Sequence, residues 1–298
     1  MRVLLLVSMG ALVWAGCSSE SSSGTQRVCA TDIEAGAVQP FGEPTASGTE
    51  GIVFDLDGTL YVSQQSAEGP DQLLEVLADG STESVAEAAS ILGLESDARG
   101  IVAAGIDTGE VLLIDPSDGT SEVITDTLGA PNFVVTTPWD TILVSDDTPG
   151  EDTIYEVTWE GEVSTWATGI PTPNGMVFSL DAAFLYVAAT FEEPGLWRVP
   201  VSASGQAGTP ELWVPFDGVT TPDGVAIDQE GNVYVALNVV GEIAKVDPEG
   251  NATTLATGIQ WVASLAFGAG ERDPCSIYAT NLFGTQMYRI GAGVLGPE

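Results

Sequence analysis

From Thr49 to Phe267 one short pattern returns six times, and a chain built of repeated β-rich units has few architectures open to it. The matching positions are Gly51, Gly93, Phe133, Gly175, Gly224 and Leu265, in steps of 42, 40, 42, 49 and 41 residues. Four members stand out: Thr49-Glu50-Gly51-Ile52, Pro131-Asn132-Phe133-Val134, Pro173-Asn174-Gly175-Met176 and Pro222-Asp223-Gly224-Val225. The second is worn, with Leu92 ahead of Gly93, and the sixth, Ser264-Leu265-Ala266-Phe267, offers only a serine.

A β-rich run follows each, as in Leu60-Tyr61-Val62-Ser63, Leu185-Tyr186-Val187-Ala188 and Val233-Tyr234-Val235-Ala236. An alternating strand and a turn come next, as in Ile243-Ala244-Lys245-Val246-Asp247-Pro248-Glu249-Gly250. Period-two alternation bounded by Asp, Gly and Pro is a strand-and-hairpin signature. Helical periodicity is absent from the mature chain, with Val85 to Leu92 the one ambiguous patch. Several short strands per 40-residue unit predict an all-β, six-bladed β-propeller over residues 41–298. The long step of 49 marks an insertion near Ser202 to Pro210, rich in Gly, Ser and Pro.

Composition removes whole classes of function. With 7 Lys+Arg against 43 Asp+Glu, the net charge is -36, so phosphate backbones are repelled and no nucleic-acid partner is expected. Such acidity also simply suits a solvated surface. The 298 residues contain no histidine. That excludes a Ser-His-Asp triad, a Cys-His dyad and a His-ligated zinc. Acid–base work must fall to carboxylates or to metal-activated water.

Arg2 followed by the apolar run Val3 to Val13 reads as an export signal, too short to span a membrane as a helix. Trp14-Ala15-Gly16-Cys17 resembles a bacterial lipobox with Cys17 as the lipidated residue, although tryptophan is unusual at its first place. The expected layout is a lipoprotein signal over 1–17, a flexible tether and N-terminal segment over 18–40, and then the propeller. A cell-envelope lipoprotein follows, held to the membrane by its lipid alone, in the outer membrane if sorting follows Ser18, and monomeric. Cys29 and Cys275 remain, and in an exported chain they are expected to form a disulfide joining the two ends of the ring. The chain-entropy model assigns such a loop about 4.7 kcal/mol or more.

If the repeats close into a ring, Glu50, Asn132, Asn174 and Asp223 point at one axis. Two carboxylates and two amides suit a hard divalent cation, Ca²⁺ most readily, with Zn²⁺, Mn²⁺ or Mg²⁺ as alternatives. Taken singly, Pro-Asn-Gly and Pro-Asp-Gly are ordinary turn tripeptides; their shared register points beyond turns. Trp197, Trp213 and Trp261 are candidates for either a substrate wall or packing between blades.

Two motifs sharpen the reading: Pro173-Asn174-Gly175-Met176-Val177-Phe178 with Leu185-Tyr186-Val187, and Pro222-Asp223-Gly224-Val225-Ala226-Ile227-Asp228 with Gly231-Asn232-Val233-Tyr234. They resemble the Asn and Asp motifs of the senescence marker protein/gluconolactonase (regucalcin-like) six-bladed propellers, and Glu50-Gly51 resembles that family's first-blade Glu-Gly. The resemblance implies Glu50, Asn174 and Asp223 as metal ligands, Asn132 as a fourth group touching metal or substrate, and Asp223 as general base. Two departures stand against it: Ala130 where many members carry a sugar-binding arginine, and Ile52 where a proline often follows the Glu-Gly. The expected activity is metal-dependent hydrolysis of a small lactone or related ester. The competing expectation is a ligand-binding lipoprotein whose propeller carries a structural ion without catalysis.

Overall fold

The computed structural model describes residues 29–297, so the export signal, Cys17 and the polar stretch to Gln26 lie outside the described residues. The described chain forms 24 β-strands and no helix, arranged as six four-stranded antiparallel sheets. The inner strands are Thr49–Phe54, Leu94–Asp97, Val134–Thr136, Pro173–Phe178, Pro222–Ile227 and Val262–Phe267. Each touches the inner strand of the blade before and after it, the last touching the first, so the ring is closed around a central channel. This is a six-bladed β-propeller. Among the described residues no helix is long and apolar enough to cross a membrane.

The strand Val233–Leu237 of blade five shows why the second strands are apolar throughout. Tyr234 and Ala236 pack into the core shared with blade six, whereas Val233, Val235 and Leu237 pack into the core shared with blade four. Successive side chains leave a strand on opposite faces, and here both faces meet a neighbouring blade. The hydrophobic cores therefore sit between blades.

Closure involves both chain ends. Val38–Phe41 pairs with Met287–Gly291 as the outer strand of blade six, matching Val38 to Ile290 and Phe41 to Met287. The ordered ring therefore begins three residues ahead of the expected boundary. Cys29 is bonded to Cys275 with their Cα atoms 5.7 Å apart, and Arg289 pairs with both Asp32 and Asp273. Thr82–Ala88 is a strand, which resolves the ambiguous patch. Val201 and Ala207 form an isolated bridge within the long loop after blade four's third strand.

Two cavities occupy the ends of the channel. One, of about 430 Å³, is lined by the far ends of the inner strands, including Phe54, Phe178 and Phe267, with Glu95 and Phe133 also on its wall. The other, of about 470 Å³, lies where the inner strands begin and gathers the residues singled out in the repeats.

Candidate active site at the channel mouth

Glu50, Asn132, Asn174 and Asp223 all line this second cavity, each from a different blade. Three of them sit at an irregularity in their own strand. The pairing register shifts between Thr49 and Ile52, between Pro173 and Met176, and between Pro222 and Val225. A bulge bends the strand and re-aims a side chain. The glycine after the ligand residue has a packing role there. A Cβ on Gly175 would lie 2.4 Å from the Asp223 carbonyl oxygen, and one on Gly224 would lie 2.5 Å from the Ser264 Cα. Neither glycine has a left-handed φ, so the tripeptides that read as turns are close-approach points inside strands.

The same registers correct the sixth unit. Leu265 pairs with Ala279 as Ile52 pairs with Val62, so Ser264 stands at the glycine position and Ala263 at the ligand position. With serine in place of the glycine that marks this position in blades one, four and five, the sequence carries no landmark for it. Blade two supplies Leu92 at this place, and two of the six blades thus offer no oxygen.

Hydroxyls on the second strands fix the bulges. Ser63 Oγ accepts from the Gly51 N–H at 2.7 Å and donates to the Leu92 carbonyl at 2.7 Å. Ser145 Oγ accepts from the Phe133 N–H at 3.2 Å and donates to the Asn174 carbonyl at 2.8 Å. Thr280 Oγ1 accepts from the Ser264 N–H and donates to the Glu50 carbonyl. Each clamp fixes the main chain of the ligand position one blade further round.

A second ring, which the sequence reading missed, lies where the second strands end. Gln65, Thr190, Asn238 and Leu282 follow residues paired to Thr49, Pro173, Pro222 and Val262, and Asp147 and Ile106 stand at the same place in blades three and two. Asn174 Nδ2 donates to Asp147 Oδ2 at 3.3 Å and to Thr190 Oγ1 at 3.1 Å. Asn238 Nδ2 donates to Asp223 Oδ2 and to the Val262 carbonyl, each at 3.0 Å. The Ser145-Asp146-Asp147 run carried the signal for blade three, had the strand ends been aligned as well as the strand starts.

One oxygen on each of the four repeat residues remains without a hydrogen bond: Glu50 Oε2, Asn132 Oδ1, Asn174 Oδ1 and Asp223 Oδ1. Only eight buried side-chain polar atoms among the described residues are orphaned, so half of them meet at this cavity. Orphaned buried oxygens are costly unless a hydrogen-bond donor or a cation meets them. All four are hard donors of the kind that divalent cations take. Among the described residues no three acidic or cysteine side chains gather closely enough to hold an ion alone, so a site here depends on its two amides.

The charge balance points the same way. Burial raises Glu50 well above the usual carboxylate range, and Asp223 and Asp147 add to the rise. Burial, reinforced by Asp147, raises Asp223 to about 7 against hydrogen bonds from Asn238 and Asn174. Asp147 rises to about 6, again through burial, although Asn132 pulls it back. No lysine or arginine lines the cavity. Three carboxyls thus share a site with no protein cation.

Of the three tryptophans, Trp261 lines this cavity. Trp197 is buried in the core between blades three and four, and Trp213 stacks on Tyr186 at 5.1 Å.

The chain is 27% identical over 214 residues to the pentonolactonase XacC of Haloferax volcanii, covering 70% of this chain and 72% of that protein. Its fold matches a gluconolactonase from Xanthomonas campestris with a TM-score of 0.71 at 16% identity, over 87% of this chain and 99% of that one. It matches regucalcin from Agrobacterium tumefaciens, described as a calcium-binding protein, with a TM-score of 0.68 at 21% identity, over 86% and 94%. Residues 49–278 match the SMP-30/Gluconolactonase/LRE-like region. The segment spans every inner strand and all four repeat residues, and the chain belongs to that family.

Proposed function

We propose that this protein is a divalent-cation-dependent hydrolase of lactones or related esters. The observation that carries the reading is the set of four orphaned oxygens on Glu50, Asn132, Asn174 and Asp223, facing one cavity from four blades. Glu50, Asn174 and Asp223 would hold the ion, with Asn132 beside it. When bound, a divalent cation, Ca²⁺ most readily for an all-oxygen set, supplies polarisation of the substrate carbonyl and a lower pKa for water. The lactonase names of the pentonolactonase and gluconolactonase relatives support the substrate class.

The chain's own groups divide the remaining work. Asn238 fixes Asp223 through Oδ2, and the carboxylate so oriented would take the proton of the attacking water. Water adds to the carbonyl carbon, the ring C–O bond breaks, and the proton held by Asp223 passes to the departing alkoxide, giving the open hydroxy acid. Asn132 would donate its amide to the carbonyl oxygen as charge develops there. Glu50, Asn132, Asn174 and Asp223 are all buried, and the low dielectric around them strengthens these interactions.

Steady-state hydrolysis of a lactone panel with added Ca²⁺, Mn²⁺ or Zn²⁺ tests the reading. Asp223→Asn and chelation should each remove activity by about 10³-fold or more. Undiminished turnover by chelated, metal-free protein would sink it. Leu92 at blade two's ligand position and Ala130 in place of the family arginine favour the non-catalytic binder instead, and saturable lactone binding without hydrolysis would select it. We also infer export with lipidation at Cys17, which labelled palmitate incorporation lost in Cys17→Ser would support and unlabelled wild-type protein would refute.

A further inference from the structure

The cavity above the oxygen ring is apolar on one side, and its apolar residues are held in place. Phe191, Val239 and Phe283 follow Thr190, Asn238 and Leu282, so blades four, five and six each present one hydrophobic side chain at the rim. At the same position blade one has Ser66 and blade three Thr148. The three are exposed by 51%, 41% and 70%, an unusual placement for large apolar groups beside a polar site.

Backbone strain anchors this wall. Thr172, Thr221 and Trp261 occupy one register position, just before their inner strands, and all three have left-handed φ values of 46°, 47° and 66°. Residues with a Cβ adopt that region at a cost of about 1–3 kcal/mol, and such strain gathers at functional sites. Its effect here is to aim side chains at the rim. Thr172 Oγ1 accepts from the Phe191 N–H at 2.9 Å, and Thr221 Oγ1 accepts from the Val239 N–H at 3.0 Å. In blade six the tryptophan takes the threonine's place and packs edge-on against Phe283 with ring centroids 5.1 Å apart. Together with Ile106 and Leu282 these residues border the space over the oxygens, whose lining has no lysine or arginine and only the hydroxyls of Thr190 and Thr221 to offer a polyol.

We propose that the substrate carries an aliphatic or aromatic substituent on its lactone ring or beside its ester bond, seated on Phe191, Val239, Trp261 and Phe283, and that polyhydroxylated sugar lactones are poor substrates. The proposal rests on the lactone-hydrolase reading for its chemistry but on the rim alone for its specificity. A buried methylene contributes about 0.8 kcal/mol, which is roughly fourfold in affinity.

The test is a series of γ-alkyl-γ-butyrolactones of increasing chain length against aldonolactones, with the full chain and added Ca²⁺. kcat/KM should climb about fourfold per methylene over the first few carbons, and the longer members should exceed the aldonolactones by about 100-fold or more. Phe283→Ser and Phe191→Ser should flatten the slope, whereas Leu56→Ser, an exposed position on the opposite face, should not. A flat series, or a preference for aldonolactones, overturns the proposal. Calorimetric binding of 5-alkyl-2-pyrrolidinones, lactams that resist hydrolysis, separates the two claims. A chain-length slope in binding without lactone turnover would retain the apolar subsite and discard the hydrolase; flat lactam binding would discard the subsite even if lactones are hydrolysed.

Discussion

Asn238 holds Asp223 by one oxygen only: its amide donates to Oδ2 at 3.0 Å and to the Val262 carbonyl at 3.0 Å, while Oδ1 faces the cavity unpartnered. The contact orients the carboxylate and stabilises its charged form. Asn238→Ala should therefore weaken Ca²⁺ binding by about 10–100-fold, the usual cost of losing a partner behind a metal ligand. Calorimetric titration of the apo protein measures this, and unchanged affinity would remove Asn238 from the site's support.

Proton competition should make cation binding strongly pH-dependent. Asp223 is raised to about 7 and Glu50 well above its ordinary range in the metal-free protein, both chiefly by burial. Below pH 7 these carboxyls hold protons that an incoming cation must displace, so affinity rises with pH. A gain of about tenfold or more from pH 6 to pH 8 is expected, with net proton release on binding. Titrations in buffers of different ionisation enthalpy would expose a proton count of zero, which would contradict this.

Glu95 offers a separate handle at the opposite channel mouth. Burial raises it to about 7, although Thr136 Oγ1 donates to its Oε1 at 3.2 Å. A carboxyl whose folded value lies above its unfolded one is bound more tightly to its proton in the native state. Stability is therefore undiminished below the unfolded value near 4.5, falls as pH rises towards 7, and stays lowered above it. Glu95→Gln should be neutral at pH 4.5 and stabilising by about 2 kcal/mol at pH 8, after allowance for partial exposure. Urea unfolding at the two pH values decides, with an equal effect at both counting against the assignment.

Removing the Cys29–Cys275 bond should loosen the whole ring. The bond spans 246 residues, and the Cys29→Ala/Cys275→Ala pair should cost roughly 2–5 kcal/mol, or about 5–15 °C in Tm. Scanning calorimetry of this variant beside reduced wild-type protein measures the loss. A Tm within a degree of wild type would show that strand Val38–Phe41 and the Arg289 ion pairs close the ring unaided.

Much of this was legible before any coordinates, for a definite reason. Glu50, Asn132, Asn174 and Asp223 share a register with strand starts that repeat visibly, and ring closure turns shared register into shared position. Asp147 and Asn238 escaped because they follow the second strands, where the repeat dissolves into loops of unlike composition. The sixth blade was misaligned by one residue because Ser264 fills the place that Gly51, Gly175 and Gly224 mark in blades one, four and five, which leaves no landmark in the sequence there. The closing strand Val38–Phe41 was invisible because its partner Met287–Gly291 stands at the far end of the chain, beyond any local pattern. The left-handed Thr172, Thr221 and Trp261 gave no sign at all, since neither residue type favours that conformation.

The seam between the first and last blades has a consequence for when this protein can work. Glu50 takes its backbone hold from Thr280, a residue of the final blade, so a chain emerging from the ribosome lacks the finished ring of four oxygens until its tail has docked against its head. The proposed activity would thereby wait on completion of folding, since parting the seam releases the main chain that carries Glu50.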